Sequence, residues 1–211
     1  EVNPDLAKDI LEQAAKLTEN LILPLAKAGD ETPAKLENGV VRTPPGYKEA
    51  YKKFTEDGWV SLSCDPEYGG QGMPKTISSF FDEMLSSASL SFKLYSELSI
   101  GAYNCIFHHG NDSIKKKFLP NMVKGTWSGT MCLTEPACGT DLGLLKTKAV
   151  EQSDGTYKLT GQKIFITSGD HDLTENIIHL VLARTPDAPS GTKGISLFLV
   201  PKVQVKEDGS L

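Results

Sequence analysis

The hydrophobic pattern of this chain changes its period once, at Gly125. Before that residue, apolar side chains recur every three to four positions, which is typical of helices with one buried face. After it, short β-branched or alternating runs are separated by turn residues, which is typical of strands. We therefore predict an α+β protein. An all-α helical domain over residues 1–124 is followed by an antiparallel β-barrel or β-sandwich domain over residues 125–211.

The helical part contains several start and stop signals. Asn3 and Pro4 predict a helix start, because asparagine caps the first turn and proline suits the first helical position. Pro24 should kink or end that helix, since its ring removes a donor and clashes with the preceding turn. Residues 31–45 are predicted to be an irregular connection. Further helices are predicted over residues 46–57 (ended by Gly58), 77–85, 90–109 and 112–124.

The second part contains six candidate strands. They cover residues 126–133, 145–150, 157–160, 163–167, 177–183 and 194–200. Turn-forming clusters at residues 153–155 and 186–189 separate some of them. The regular spacing of short runs favours antiparallel pairing.

Composition excludes several classes of protein. The 211 residues carry a formal net charge of -5 with scattered basic residues, so nucleic acid is not an expected partner. No apolar run is long enough for a membrane span and no secretion signal is visible, so we expect a cytoplasmic protein without stable membrane insertion. Cys64, Cys105, Cys132 and Cys138 lack metal-ligand spacing, so we expect free thiols and no metal site.

The loop of residues 134–141 follows a predicted strand and is a candidate binding site. Thr134 and Thr140 supply hydroxyl donors, and Gly139 allows backbone N–H groups to converge on an anionic oxygen. A phosphate or a carbonyl would suit such a loop. A polar hairpin loop closed by Asp141 explains the same composition equally well.

The predicted strand over residues 163–167 is the second candidate. Side chains alternate along a strand, so Phe165 and Thr167 should share one face and Ile164 and Ile166 the other. An aromatic surface beside a hydroxyl suits a flavin, which needs an apolar wall and a hydrogen bond. The alternative is that Phe165 belongs to the core.

The four histidines, His108, His109, His171 and His179, are interpreted as structural. No serine or cysteine stands in a recognisable order with a histidine and an orienting carboxylate.

Three separated blocks resemble the acyl-CoA dehydrogenase family in order and spacing. They are residues 68–72 (Tyr-Gly-Gly-Gln-Gly), residues 131–141 and residues 161–169. The resemblance covers essentially the whole chain. Residues 171–184 and 191–196 further resemble the large-subunit subgroup that includes 3-methylmercaptopropionyl-CoA dehydrogenase.

The resemblance implies FAD as the cofactor. It assigns cofactor contacts to Met131, Cys132, Leu133, Thr134, Gly139, Thr140, Phe165, Ile166 and Thr167, and contacts with the CoA part of the substrate to Thr140 and Thr192. Phe165 stands where many members have tryptophan, and would stack on the ring system. Thr167 would bond the N5 edge of the flavin. Ala137-Cys138 replaces the more usual Gly-Ala pair.

The implied reaction is α,β-dehydrogenation of an acyl-CoA thioester, with electrons passed to an electron-transfer flavoprotein. In this family the catalytic glutamate lies in a C-terminal helical domain, and members assemble into homo-oligomers. The sequence begins with Glu1 and ends in a polar stretch, so we expect it to be a fragment that lacks that helical domain and ends within the β domain. No residue of the chain is therefore assigned as catalytic, and the fragment alone should be inactive.

Two other functions remain open on the sequence. The parent protein is an acyl-CoA oxidase if dioxygen accepts the electrons. Alternatively, the chain is a helical and β interaction module that binds no cofactor.

Overall fold

A computed structural model describes residues 2–211. Its helices are α1 (Pro4–Leu17), α2 (Leu23–Glu31), α3 (Tyr47–Glu56), α4 (Lys75–His109) and α5 (Asp112–Val123). Its strands are β1 (Lys35–Glu37), β2 (Val40–Arg42), β3 (Trp127–Cys132), β4 (Lys148–Glu151), β5 (Tyr157–Thr160), β6 (Asn176–Ala183) and β7 (Ser196–Pro201). The predicted succession of helices and then a sheet is confirmed.

The first helix begins as its sequence predicts. The Asn3 side chain accepts a hydrogen bond from the amide of Leu6 at 2.8 Å, and Pro4 occupies the first helical position. The helix does not end at Pro24. A π-helical turn, Thr18–Ile22, precedes the proline, and α2 continues to Glu31. A π turn changes the hydrogen-bond register, which accommodates the amide that proline lacks.

Residues 31–45 are predicted to be irregular, and this prediction is wrong for the middle of the segment. Strands β1 and β2 form an antiparallel hairpin across residues 35–42. Asn38 and Gly39 have φ angles of 51° and 79°, the left-handed pair that a two-residue hairpin turn requires. Both strands are short and mostly exposed, so they carry no apolar alternation that would reveal them.

The helices over residues 77–85 and 90–109 are two halves of α4. Ser89 separates them with φ −160° and ψ 98°, which are not helical angles. Its hydroxyl accepts a hydrogen bond from the Phe92 amide at 3.3 Å and thereby caps the second half. Gly58 follows α3 at φ 79°, as predicted for a helix stop.

The main sheet has the order β3-β6-β7. Strands β6 and β7 are antiparallel, but β3 and β6 are parallel, with Trp127 opposite Asn176 and Cys132 opposite Val181. The sheet is therefore mixed rather than purely antiparallel. Parallel neighbours need a long crossover, and residues 133–175 supply it. Within that crossover β4 and β5 form a separate antiparallel hairpin.

Two clusters of buried residues form the core. One lies among the helices and includes Phe54, Phe81 and Phe92. The other joins α4 and α5 to the sheet through Ala102, Trp127 and Ile178. Because this second cluster crosses the proposed division at residues 124 and 125, that domain boundary stays a prediction.

Helix α4 and strand β3 pack at unusually short range. A methyl group built on Gly129 would lie 2.4 Å from the Ala102 Cβ, and the Gly129 amide donates to the Ser99 hydroxyl at 3.1 Å. The sheet can therefore pack this closely on the helix only because the residues in contact, Gly129 and Ala102, are small. Within residues 2–211, no helix is both long enough and apolar enough to cross a membrane.

We expect Gly129→Ala to destabilise the protein by about 1–3 kcal/mol, because the added methyl overpacks this contact. Ala102→Gly alone should cost about 1 kcal/mol of helix propensity. The double variant should lose less than the sum, since glycine at position 102 makes room for the new methyl. Urea unfolding of all four proteins measures the coupling. Strictly additive losses would show that the two positions do not meet.

Candidate functional site

The loop that follows β3 is closed by a tight turn. Glu135 and Cys138 exchange two backbone hydrogen bonds, of 2.8 and 3.1 Å, around exposed Pro136 and Ala137. The amides of Glu135 and Cys138 are therefore occupied and cannot serve an anion. Gly139 does not adopt a positive φ, and a methyl there would make ordinary contact with Thr134 at 3.6 Å. The expectation that glycine clears this loop for a ligand has no steric basis at this position.

The Glu135 carboxylate is the centre of the loop, and the residue is only 5% exposed. It accepts hydrogen bonds from the Lys146 amide at 2.7 Å, the Thr147 amide at 2.9 Å and the Thr147 hydroxyl at 2.5 Å. The Lys163 ammonium adds a fourth at 2.9 Å. Burial alone would raise the pKa of Glu135, but these bonds together lower it to about 2. A carboxylate held in its ionised form this firmly is a weak base.

The ion pair attaches residues 161–169, called here the Phe165 segment, to residues 133–141, called the Glu135 loop. Lys163 also donates to the Leu133 carbonyl at 3.1 Å, and the Ile164 amide donates to the Thr134 carbonyl at 3.0 Å. The two segments that the sequence singled out therefore lie side by side.

The prediction that residues 163–167 form a strand is wrong. Phe165 has a φ of 56° and Ser168 a φ of 53°, and a left-handed residue cannot continue a β-strand. The Lys163 ion pair and the Ile164 amide fix one end of the segment, and a turn closed by the Gly169 amide and the Ile166 carbonyl, 3.0 Å apart, fixes the other. Tertiary anchors thus override the β-branched pattern.

The side chains nevertheless alternate in exposure, as the sequence pattern predicted. Phe165 is 88% exposed and Thr167 is exposed, whereas Ile164 and Ile166 are half-buried. Phe165 is not a core residue. It presents almost its whole ring to solvent from a strained backbone, beside the Glu135 loop.

A second set of contacts holds the end of the Phe165 segment. The Ser168 hydroxyl donates to the Leu94 carbonyl on α4 at 3.4 Å. Just beyond, the buried His171 accepts from the Leu173 amide through Nδ1 at 3.2 Å, so its Nε2 carries the proton and donates to the Ser128 hydroxyl at 3.1 Å. The Ser128 and Thr174 hydroxyls lie 3.1 Å apart and extend this chain of bonds.

Asp172 ties the same region to the β1-β2 hairpin. Its carboxylate accepts from the Thr43 amide at 3.1 Å and the Thr43 hydroxyl at 2.8 Å, and lies 3.5 Å from the Arg42 guanidinium. Burial opposes ionisation here, but the Thr43 bonds and Arg42 lower the pKa of Asp172 overall. Residues 170–174 are therefore fixed to the helical part.

The other predicted cofactor residues have different surroundings. Cys132 is buried, with Sγ 3.5 Å from the Thr130 hydroxyl and 3.8 Å from Nδ1 of His179, so its side chain is occupied inside the sheet. Burial raises the pKa of the Cys132 thiol. Met131 is half-buried against the core that joins helices and sheet, and Leu133 and Thr134 are half-buried at the start of the Glu135 loop.

Thr140 and Thr192 are both exposed and lie in separate loops. Their loops approach each other closely, since a methyl on Gly143 would lie 3.8 Å from the Gly191 Cα. No hydrogen bond joins either threonine to the Phe165 segment in the described part of the chain. No cluster of three or more His, Cys, Asp or Glu side chains within residues 2–211 is arranged to hold a metal ion.

Both parts of the chain match models of one protein family. Residues 5–126 match the acyl-CoA dehydrogenase N-terminal domain, and residues 130–209 match the acyl-CoA dehydrogenase middle domain. The chain belongs to the acyl-CoA dehydrogenase family. It is 48% identical over 209 residues to 3-methylmercaptopropionyl-CoA dehydrogenase of Ruegeria pomeroyi, covering 99% of this chain and 36% of that protein. This acyl-CoA dehydrogenase chain thus spans about a third of the length of that curated relative.

Solved structures with a similar fold support the family assignment. Butyryl-CoA dehydrogenase from Megasphaera elsdenii superposes with a TM-score of 0.75 at 25% identity, over 96% of this chain and 50% of that one. A structure described as the electron transferring flavoprotein of Acidaminococcus fermentans superposes with a TM-score of 0.77 at 26% identity, over 96% of this chain and 49% of that one.

Four residues that organise the site in this acyl-CoA dehydrogenase chain were not predicted as site residues from the sequence: Lys163, Asp172, Arg184 and His171, which was interpreted only as structural. All four lie inside blocks that resemble the family or its subgroup, residues 161–169 and 171–184, which was the available signal. Arg184 is one of only two arginines in the chain. Each of the four has at least one partner 28 or more positions away in sequence, so local pattern could not reveal these contacts.

We expect Lys163→Met to destabilise the protein by about 3 kcal/mol, because it leaves the buried Glu135 carboxylate without its counter-charge. The double variant Glu135→Gln, Lys163→Met should recover part of that loss. Lys202→Met is the matched control, since its ion pair with Asp170 is half exposed and should contribute less than about 1 kcal/mol. Urea unfolding gives all the values. Equal losses for the two lysine variants would contradict a special role for the buried pair.

His171 should make stability depend on pH. Burial lowers its pKa from 6.5 to about 4, while Asp170 and Asp172 oppose and Lys202 and His179 add to that shift. As the pH falls from 6.5 to 4, the unfolded chain takes up a proton that the folded chain refuses, so stability falls over that window.

His171→Gln should reduce this dependence, which urea midpoints at pH 7.5, 5.5 and 4.5 will measure. His179 also has a lowered pKa, so part of the slope should remain. Parallel profiles for the natural protein and the variant would contradict the assignment.

Proposed function

We propose that the complete protein containing this chain is an FAD-dependent acyl-CoA dehydrogenase that forms the α,β double bond of acyl-CoA thioesters. The observation that carries the proposal is Phe165. Its ring is 88% exposed on a left-handed backbone, and the Glu135–Lys163 ion pair fixes it beside the Glu135 loop. A strained and exposed aromatic side chain that the surrounding contacts hold in place is a feature of ligand sites.

The residues present fit a flavin. An isoalloxazine ring needs a flat apolar wall, which the Phe165 ring offers, and a hydroxyl donor near its polar edge, which exposed Thr167 offers two residues later. The Glu135 loop adds the Thr134 and Thr140 hydroxyls. Cys132 would contribute through its backbone, because its side chain is occupied in the sheet.

Each residue group would have a distinct role in the complete enzyme. Phe165 and Ile166 would support the ring system and exclude water from one face, and Thr167 would orient the ring by a hydrogen bond. Met131, Leu133, Thr134 and Gly139 would line the opposite part of the cofactor site, and Thr140 and Thr192 would bind the CoA part of the substrate. When bound, FAD accepts the hydride that leaves the β carbon of the substrate.

We assign the abstraction of the α proton to no carboxylate of this chain. Glu135 is buried and its pKa is held near 2, which makes it unsuitable as a general base. The proposal therefore requires a base from another part of the complete protein, and this chain alone should be inactive.

The similarity at 48% identity supports 3-methylmercaptopropionyl-CoA as the first substrate to test. We propose an electron-transfer flavoprotein as the electron acceptor, supported by family membership. Assembly of the complete protein into a homo-oligomer is part of the same proposal. So is a cytoplasmic location, which the four free cysteines favour because reducing compartments keep thiols unpaired.

In the complete protein, Phe165→Ala should weaken FAD binding about tenfold, because stacking on one aromatic ring is worth about 1–3 kcal/mol. Phe165→Trp should keep the affinity, since tryptophan also offers a flat aromatic surface for stacking. Titration of the apoprotein with FAD, followed by flavin fluorescence, measures both. Phe80→Ala is the matched control, because Phe80 is a 49% exposed phenylalanine on α4.

The activity test is bleaching of bound flavin by 3-methylmercaptopropionyl-CoA and butyryl-CoA under anaerobic conditions. Bleaching by either thioester supports the dehydrogenase. Rapid peroxide release in air would favour an oxidase instead. If FAD does not bind to the complete protein at all, the chain serves as an interaction module and the proposal fails.

A further inference from the structure

Arg184 lies directly after β6 and makes four side-chain hydrogen bonds, all to backbone carbonyls. Its Nε donates to Leu145 at 3.1 Å, and its Nη1 donates to Pro189 at 3.0 Å. Its Nη2 donates to Gly143 at 3.0 Å and to Gly191 at 2.6 Å. One guanidinium group therefore joins two loops that are more than forty positions apart in the sequence.

The position of Arg184 is itself fixed. Its amide donates to the Thr147 carbonyl at 2.9 Å, and its carbonyl accepts from the Ala149 amide at 2.8 Å. The side chain thus extends from a backbone that is bonded to the start of β4. Since the guanidinium is planar and rigid, the two loops have little freedom to move relative to each other.

Close packing shows that the loops are built around this group. A methyl added to Gly194 would lie 1.9 Å from the Pro189 carbonyl oxygen and 2.7 Å from Nη1 of Arg184. Among residues 2–211, no carboxylate forms an ion pair with Arg184, so carbonyl dipoles alone balance its charge. An arginine that was merely solvent-exposed would need neither the four carbonyl acceptors nor the close packing at Gly194.

The loops that Arg184 joins are those that carry Thr140 and Thr192. Thr140 lies three residues before Gly143, with its carbonyl bonded to the Leu142 amide at 3.1 Å, and Thr192 directly follows Gly191. We propose that Arg184 is a positioning residue that sets the separation of these two threonines and thereby the affinity for the CoA part of the substrate. The proposal rests on the proposed function.

The test uses the complete protein loaded with FAD. Arg184→Lys keeps the charge but cannot bond four carbonyls, so the KM for acyl-CoA should rise about tenfold or more, while kcat changes less than about threefold. The affinity for free CoA should fall by the same factor in calorimetry. Thr140 is also assigned to the flavin, but Arg184 contacts neither the Glu135–Lys163 pair nor Phe165, so FAD content should change much less than KM and the flavin spectrum should be unchanged.

A second measurement needs no turnover. In Arg184→Lys, amide hydrogen exchange should accelerate in residues 142–145 and in residues 189–192 together, and not in the Phe165 segment. In Arg184→Gly, addition of methylguanidine at millimolar concentration should restore part of the CoA affinity. Lys158→Met, which removes an exposed cation from β5, is the control and should change none of these quantities.

The outcomes separate the two proposals. If the natural protein fails to bind FAD, the proposed function is wrong, whatever the Arg184 variants do. If it binds FAD and is reduced by acyl-CoA, but Arg184→Lys lowers kcat and FAD content with KM unchanged, or exchange accelerates throughout the chain, then Arg184 has only a general structural role and this inference is overturned.

Discussion

The site depends on one buried ion pair, between Glu135 and Lys163. Removing two charges from water is costly, and such a pair persists only when its remaining hydrogen-bonding capacity is satisfied. Here the Lys146 amide and both the amide and hydroxyl of Thr147 complete the shell around the carboxylate. The pair therefore fixes three pieces of chain at once: the turn after β3, the approach to β4, and the Phe165 segment. Displacing any one piece would remove part of the hydrogen bonding or the counter-charge of a buried carboxylate, so the three pieces stabilise one another.

That rigidity accounts for the unusual state of the Phe165 segment. Left-handed φ angles at Phe165 and Ser168 each carry a cost of order 1–3 kcal/mol, which surrounding contacts must offset. Lys163 anchors one end, and Ser168, His171 and Asp172 anchor the other against α4, β3 and the β1-β2 hairpin. Between these anchors, the ring of Phe165 cannot fold back into the core. The aromatic ring is thus exposed in a fixed position without a ligand. A side chain that is already fixed loses less conformational entropy when a ligand binds.

Elements defined by local chemistry could be predicted from the sequence, and those defined by distant partners could not. The Asn3 cap and the Gly58 stop act within one turn of helix, so both were correctly predicted. The Asn38-Gly39 hairpin was also local but was hidden by its polar surroundings. Residues 163–167 have the composition of a strand. Their conformation is nevertheless decided by the ion pair between Lys163 and Glu135, which lie 28 positions apart in the sequence. The same distant contacts place the Phe165 segment beside the Glu135 loop, since Lys163 bonds the Leu133 carbonyl and the Ile164 amide bonds the Thr134 carbonyl.

The parallel pairing of β3 and β6 explains why the two halves of the site meet. Parallel neighbours have their carboxyl ends at the same edge of a sheet, and Cys132 pairs with Val181 near both ends. The Glu135 loop leaves β3 at that edge, and Arg184 leaves β6 there. In the purely antiparallel sheet that the sequence suggested, neighbouring strands would end at opposite edges. The residues assigned to the flavin and those assigned to CoA would then be separated by the length of the strands. The parallel direction of β3 and β6, which the sequence pattern did not predict, therefore lets the long crossover of residues 133–175 bring both groups to a single edge of the sheet.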